Sequence, residues 1–137
     1  VGHKLDDNEA LDSYNVLDAF IENPVENIRD YLFIAPHKSS HLALRTGDWV
    51  YIPGQGGGGW ERSSGHTTGG ILGTLFTHDY NSDIYEGKLI ENAPKVQLFN
   101  LRKDKEEKIN LAERNPEKLR EIQTLYKEKK SLLRTRK

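Results

Sequence analysis

Residues 40–60 read SHLALRTGDWVYIPGQGGGGW, and the rest of the chain can be placed around them. In the first part, leucines alternate with His, Ala and Arg, which is the period-two pattern of a strand with one buried face. Residues 46–48, Thr-Gly-Asp, contain the glycine that tight turns favour. Residues 49–52, WVYI, have the aromatic and β-branched composition of a strand. The stretch therefore predicts an antiparallel hairpin, which Pro53 ends before a glycine-rich loop.

Two further apolar runs predict the remaining strands. Residues 31–34, YLFI, form a continuous apolar run that suits a central strand and stops before Pro36. Residues 96–101, VQLFNL, return to a strand pattern after a long irregular stretch. Together with the hairpin, these runs predict four strands.

The C-terminal part predicts a long amphipathic helix over residues 116–133. Asn115 is a typical N-cap residue, and Pro116 suits the first helical position. The apolar stripe of this helix consists of Leu119, Ile122, Leu125, Tyr126, Leu132 and Leu133. Because such a stripe can be buried only against the sheet, the predicted fold is α+β, with a small four-stranded antiparallel sheet packed against a long C-terminal helix.

Length and composition predict one domain with a modest core. Of the 137 residues, 35% are hydrophobic and 30% are charged. Residues 1–29 are predicted to be a connecting segment with a short helix over residues 13–21, and residues 30–137 the folded subdomain. The chain has no cysteine, which excludes thiolate catalysis, cysteine zinc sites and disulfides. No apolar run approaches membrane-spanning length, so no membrane partner is expected.

The charge is unevenly distributed along the chain. Residues 97–137 contain 13 Lys and Arg against 7 Asp and Glu, while the whole chain has a formal net charge of −1. A basic C-terminal part raises the question of nucleic acid. Its acidic residues are interspersed and aromatic residues are few, so a solvated helix face is favoured and no nucleic-acid partner is expected.

The glycine-rich loop does not have the features of a nucleotide site. Residues 54–59, GQGGGG, formally satisfy G-x-G-x-x-G, but no helix follows and no Gly-Lys-Ser/Thr is present. Nine of the twenty residues in 54–73 are glycine, a composition that costs much entropy to order. We expect the loop to be mobile or to be fixed by something outside the chain, and residues 74–95 to be irregular.

One stretch begins like a calcium-binding loop. Asp79, Asn81 and Asp83 have the alternating spacing of the first three ligands. The sixth position is Ile84 and the twelfth is Ile90, where an EF-hand requires glycine and a bidentate glutamate. The pattern therefore favours a polar surface loop over a calcium site.

Three motifs in a fixed order carry a resemblance to a known family. Residues 43–49 read ALRTGDW, residues 97–111 read QLFNLRKDKEEKINL, and residues 115–117 read NPE. With ALDSYNVLDAF at residues 10–20, they resemble the C-terminal subdomain of the sulfatases, the formylglycine-dependent sulfate ester hydrolases. Two positions depart from the family pattern, since Val50 replaces a lysine and Lys105 replaces a proline.

The resemblance implies where a substrate would be bound. In the family, this subdomain packs on the N-terminal catalytic domain, and the loops corresponding to residues 36–40 and 54–95 are expected to reach the substrate pocket. His37 with Lys38 matches the place where relatives carry a histidine near the mouth of the pocket, and His41 is the second choice. Trp60 could stack on a sugar ring or simply anchor the loop. A surface role for these residues remains the alternative. The implied substrate class is sulfated carbohydrate.

The catalytic residues of the family are not found in these residues. The C/S-x-P-x-R motif that yields formylglycine is absent from the sequence, and no nucleophile, general base or metal ligand can be assigned. Calcium and formylglycine are therefore expected in an N-terminal catalytic domain that these residues do not include, and the chain by itself is expected to be inactive. Because the sequence begins at Val1, we take it to be a fragment, with a periplasmic or secreted location suggested by the family.

The sequence leaves an alternative function open and also predicts the stability of the isolated chain. The alternative to a sulfatase part is a standalone, non-catalytic module of the same fold that binds a glycan or a protein. The isolated chain is expected to be only marginally stable, because the second face of the sheet should need a partner.

Overall fold

The computed structural model describes residue 6 and residues 16–21, 28–35, 41–57, 81–85 and 88–132. Within these residues the elements are α1 (Leu17–Ile21), β1 (Leu32–Ile34), β2 (Ala43–Thr46), β3 (Trp49–Ile52), β4 (Ile84–Tyr85), β5 (Lys88–Leu89), β6 (Gln97–Asn100) and α2 (Pro116–Lys130). Four of the strands form an antiparallel sheet, and α2 lies against it, so the predicted α+β fold is confirmed.

The sheet has the strand order β1-β2-β3-β6. Leu44 pairs with Tyr51 across the predicted hairpin, and Tyr51 pairs with Leu98 on its other side. Gly47 takes a φ of +53° in the turn, a conformation that favours glycine. β1 lies at an edge, so its prediction as a central strand is wrong. Its continuous apolar run is half exposed, with Leu32 and Ile34 at 40% and 43%.

The core between the sheet and α2 is apolar and rich in aromatic rings. Its buried members are Tyr31, Leu44, Tyr51, Leu98, Ala112, Ile122 and Tyr126, and we call this set the apolar cluster. The Tyr126 ring meets Phe33 and Tyr51 edge to face, at centroid distances of 5.6 and 5.3 Å. Trp49 packs against this cluster, with the ammonium of Lys118 5.9 Å from its ring centroid.

The opposite face of the sheet is covered unevenly. Val50 and Phe99, on β3 and β6, are 2% and 0% exposed, and Ile52 is also buried. Leu32 and Ile34, which the pairing places on the same face, remain exposed. The expectation that this whole face needs a partner is therefore wrong for the β3–β6 half, and only the β1 side is still exposed.

The long helix begins where the sequence predicts but is capped differently. Asn115 occupies the N-cap position, yet its side chain makes no capping hydrogen bond, and its Nδ2 instead lies 3.5 Å from the Leu111 carbonyl oxygen. Pro116 stands in the first turn, where a missing N–H costs nothing. The helix ends at Lys130, before Leu132, which is 50% exposed, and Leu133 lies outside the described residues.

The stretch predicted to be irregular contains a small hairpin. β4 and β5 pair with each other, with Ile84 opposite Leu89 and Tyr85 opposite Lys88. The prediction of no regular structure over residues 74–95 is therefore wrong for this part. Two-residue strands carry too little pattern for a period-two signal to be read from the sequence.

Candidate functional site

Both predicted substrate loops begin at the same end of the sheet. Ile34, at the end of β1, pairs with Ala43 at the start of β2, and Ile52, at the end of β3, pairs with Gln97 at the start of β6. We call this the loop end, and the end with the β2–β3 turn the turn end. Residues 36–40 follow β1 and the glycine-rich loop follows β3, so both depart from the loop end.

Of the four predicted substrate-binding residues, the structure places one. His41 is half-buried and lies two residues before β2, at the loop end. His37, Lys38 and Trp60 lie outside the described residues. His41 thus lies at the loop end, and both its substrate-binding role and the grouping of the four residues stay predictions.

The start of the glycine-rich loop is fixed by residues of the same chain. The Gly57 N–H donates to Gln97 Oε1 at 2.8 Å, and Asn81 Nδ2 donates to the Gly57 carbonyl at 2.8 Å. A Cβ on Gly57 would stand only 3.2 Å from Ile52 Cδ1, so a larger residue would crowd the strand. For residues 54–57 the expectation of mobility or of an outside anchor is therefore wrong.

A group of polar residues, buried except for Ser82, provides this anchor, and we call it the polar cluster. Its members are Asn81, Ser82, Asp83, Gln97 and Asn110. The Asp83 carboxylate is its centre: Asn110 Nδ2 donates to it at 2.6 Å, Gln97 Nε2 at 3.3 Å and the Ser82 hydroxyl at 3.1 Å. Asp83 is 2% exposed, so the prediction of a polar surface loop at this point is wrong.

Asn110 joins the polar cluster to β6. Its Oδ1 accepts hydrogen bonds from the backbone N–H groups of Leu98 and Ala112, each at 3.0 Å. Its Nδ2 also donates to the Val96 carbonyl at 3.1 Å. Every buried side-chain nitrogen and oxygen in the described part of the chain has a hydrogen-bond partner. The cluster therefore uses its polar groups to hold the chain together.

The carboxylates of the described residues are not arranged as a metal site. Asn81 Oδ1 accepts the Asp83 N–H at 2.9 Å, and the Asp83 oxygens accept the side-chain donors above, so these two would-be calcium ligands are used within the chain, and Asp79 lies outside the described residues. In the stretches that the structure covers, no group of three or more His, Asp or Glu residues could hold a metal ion. No step of metal chemistry is therefore assigned to these residues.

The β4–β5 hairpin is built on the polar cluster. Ile84 N–H donates to the Asn81 carbonyl at 3.0 Å, and Ile90 N–H donates to the Asp83 carbonyl at 2.9 Å. Gln55 Nε2 donates to the Ala93 carbonyl at 2.8 Å and joins the start of the glycine-rich loop to the chain after the hairpin. The hairpin is thus held beside that loop, at the loop end of the sheet.

The family-like motifs contribute turns and strands in this structure. Asn100 Oδ1 accepts hydrogen bonds from the N–H groups of Arg102 and Lys103, at 3.1 and 3.3 Å. Asp104 Oδ2 accepts the Ile109 N–H at 2.8 Å. In the first motif, Arg45 Nε donates to the Gly47 carbonyl at 3.3 Å. These polar residues stabilise backbone turns, which explains the residue types in the motifs without a catalytic role.

The turn end carries a shallow cleft of about 230 Å³. Arg29, Asp30 and Arg45 are the charged residues in its lining, and the apolar part comes from Ile28, Tyr31 and Leu32. Thr46 Oγ1 donates to the carbonyl of Asp30, one of the lining residues, at 3.1 Å. This cleft lies at the opposite end of the sheet from His41, so it does not contribute to the predicted substrate wall.

Besides Lys129, whose hydrogen bond with Glu128 raises its pKa, two ionisable groups among the described residues have perturbed pKa values. Burial raises the pKa of the Glu107 carboxyl, and the nearby Asp104 carboxylate raises it further. Glu107 also adopts a φ of +54°, which is unusual for a residue other than glycine. Burial raises the pKa of Tyr51 in the apolar cluster, although a hydrogen bond with Gln123 acts in the opposite direction. Neither group lies in a described cleft.

Comparison of the chain with protein-family models, with curated proteins and with solved structures gave no match. In the part of the chain that the structure covers, no helix has the length and apolar character needed to cross a membrane. Function must therefore be argued from the residues and geometry described above.

Proposed function

We propose that the chain is the C-terminal part of a sulfatase, a sulfuric ester hydrolase. In this proposal it packs on the catalytic domain and forms one wall of the pocket for a sulfated carbohydrate. The observation that carries the proposal is the agreement between motif order and fold. Residues 43–49 form β2, the turn and the first residue of β3, residues 97–100 form the strand beside β3, and residues 115–117 begin the helix that packs on the sheet.

The exposed apolar side chains support packing on a second domain. Phe20 and Ile21 of α1 are 84% and 68% exposed, and Leu32 and Ile34 of β1 lie open on the sheet. Single exposed apolar residues are common, but their concentration on two consecutive elements is typical of a surface that a partner covers. A catalytic domain N-terminal to these residues is the partner that the proposal requires.

In this proposal the reaction takes place in the partner domain. Formylglycine supplies the nucleophile and calcium supplies charge stabilisation when both are present in the catalytic domain. Residues of this chain would bind and orient the sugar. His41, at the loop end, is the described residue that would contribute a hydrogen bond or a positive charge toward a sulfate group.

The first experiment is to determine the reading frame upstream of Val1 in the source DNA. A frame that continues into a C/S-x-P-x-R motif and paired aspartates is the expected result, and the parent protein should then release sulfate from a sulfated sugar. Replacing the Cys or Ser of that motif by Ala should abolish release, while His41→Ala should mainly raise KM. An unrelated domain or a start codon directly upstream would contradict the proposal and favour the standalone binding module.

A further inference from the structure

The β4–β5 hairpin presents an aromatic ring and a cation side by side. Tyr85 and Lys88 are opposite each other in the antiparallel register. Side chains of directly opposed residues lie on the same face of a strand pair, with Cβ atoms about 4.5–5.5 Å apart. Tyr85 is 69% exposed, and Lys88 is exposed as well. Among the described residues, neither side chain has a hydrogen bond or an ion pair.

The other pair on the hairpin shows why these two side chains point away from the protein. Ile84 lies opposite Leu89, and alternation places these two residues on the other face of the hairpin. Leu89 Cδ2 lies 3.9 Å from the position that a Cβ on Gly56 would occupy, so this face is directed toward the glycine-rich loop. Tyr85 and Lys88 therefore occupy the solvent face.

The hairpin is held firmly enough to present the pair in a fixed position. Backbone hydrogen bonds join its two ends to Asn81 and Asp83, and the Ser82 N–H donates to the Lys108 carbonyl at 2.7 Å. A two-stranded hairpin of this length would not be stable alone, so the polar cluster determines its position. A preorganised surface loses less entropy when it binds a ligand.

We propose that Tyr85 and Lys88 form a binding subsite for a sulfated sugar. The face of the tyrosine ring carries negative potential and suits the weakly positive C–H groups on one side of a pyranose. The lysine ammonium beside it attracts a sulfate group on the same sugar. This inference deepens the proposed function and rests on it for the choice of a sulfated ligand, and within the predicted 54–95 loop it assigns a substrate contact to two residues other than His37, Lys38, His41 and Trp60.

The test is a binding measurement, because binding is independent of the sulfatase reaction. Galactose 6-sulfate and galactose are titrated into the protein, and chemical shifts of the backbone amides are followed by NMR. Shifts should concentrate on Ile84, Tyr85 and Leu89, and the sulfated sugar should bind about fivefold more tightly than galactose, the range of an exposed charge pair. Shifts distributed elsewhere, or equal affinity for the two sugars, would overturn the proposal.

Variants separate the two halves of the subsite. Tyr85→Ala should weaken binding of galactose 6-sulfate about tenfold, whereas Tyr85→Phe should retain it because the ring remains. Lys88→Ala should remove the preference for the sulfated sugar, and Lys88→Arg should keep it. Lys127→Ala, which removes an exposed lysine on α2, is the matched control and should bind as the wild type does.

The outcomes also separate this inference from the proposed function. If the Tyr85 and Lys88 variants lower only the melting temperature and leave the affinity unchanged, the pair is a cross-strand contact and the subsite is refuted. In that case, sulfate release by the parent protein would still support the sulfatase proposal. Binding at the hairpin without any sulfate release by the parent would support the subsite and contradict the enzyme.

Discussion

Strand β6 is held by two parts of the molecule, one through apolar packing and the other through hydrogen bonds. On the helix side, Leu98 is fully buried in the apolar cluster against Ile122 and its neighbours. At the start of the same strand, Gln97 is equally buried but contacts Asp83 and Gly57 through hydrogen bonds in the polar cluster. One strand thus takes part in nonpolar packing through Leu98 and in a hydrogen-bond network through Gln97.

The two clusters should respond differently when one of their side chains is truncated. In the apolar cluster a shortened side chain removes contact area and leaves a cavity, and the neighbours keep their remaining contacts. In the polar cluster the loss of one partner leaves other buried groups without a hydrogen bond, which costs more than the bond contributed. The apolar cluster should therefore control global stability, and the polar cluster the attachment of the hairpin and the glycine-rich loop.

The largest effect is expected from Ile122→Ala in the apolar cluster. Ile122 is fully buried, and its truncation should lower the free energy of unfolding by about 2–5 kcal/mol. Alanine favours the helix, so the loss would report packing rather than helix propensity. Denaturant unfolding measures it. Glu121→Ala, whose exposed pair with Lys118 at 2.8 Å is worth little, is the control and should cost less than about 1 kcal/mol.

Asn110→Ala tests the polar cluster. It removes partners of Asp83 and of two backbone N–H groups, and we expect a loss of about 2–3 kcal/mol. Hydrogen exchange should quicken most at Ile84 and Ile90, whose amides are hydrogen-bonded around this cluster. A uniform increase in the hydrogen-exchange rate over the whole sheet would show that the two clusters unfold as a single cooperative unit. It would contradict their separate roles.

Gly57→Ala is expected to have a smaller effect at the edge of the polar cluster. The new methyl group would stand 3.2 Å from Ile52 Cδ1 and 3.3 Å from Gln97 Oε1, and relief of this crowding should cost about 1 kcal/mol. Gly47→Ala is a useful comparison, since no atom lies within 4 Å of its Cβ and only its positive φ opposes the change. A shift of the Gln97 side-chain amide resonances in Gly57→Ala alone would identify crowding as the cause.

Glu107→Gln should give the smallest change in the free energy of unfolding, and the size of this change depends on pH. The raised pKa means that the folded protein holds the Glu107 proton more tightly than the unfolded chain does. The resulting stability is fully present below the ordinary glutamate pKa and is lost as the pH rises through the raised pKa. Glu107→Gln should therefore be more stable than the wild type at pH 7, and the difference should shrink in acid. An equal gain in stability at pH 7 and in acid, measured by thermal unfolding, would exclude this explanation.

The sequence predicted the parts of the fold that follow from periodicity. The β2–β3 hairpin and α2 have long, regular patterns with clear end signals at Gly47, Pro53 and Pro116, and their bounds agree with the structure to within a few residues. The burial of Ile122 and Tyr126 also followed from the helical stripe. These predictions depended only on residues close together in sequence, so they could be made from local sequence patterns alone.

The polar cluster could not be predicted in the same way, because its members meet only in the folded chain. Asn81 and Asp83 are similar in sequence to any polar loop, and their burial depends on Gln97 and Asn110, which come from later segments. One signal was available: Gln97, at the second position of the strand predicted over residues 96–101, with Asn110 beyond the following turn. The hairpin subsite was missed for a related reason, since Tyr85 and Lys88 are brought together by pairing.

The strand order also bears on how the chain folds. β1, β2 and β3 are consecutive in sequence, whereas 44 residues separate Ile52 from its partner Gln97. Closing so long a segment costs entropy before β6 can pair, so the three-stranded meander should form early and β6 with α2 should dock late. Each halving of that segment lowers the closure cost by only about 0.6 kcal/mol. The part of this connection between Gly57 and Asn81, outside the polar cluster, could therefore be lengthened with little effect on equilibrium stability, and the effect of its length should appear in the folding rate.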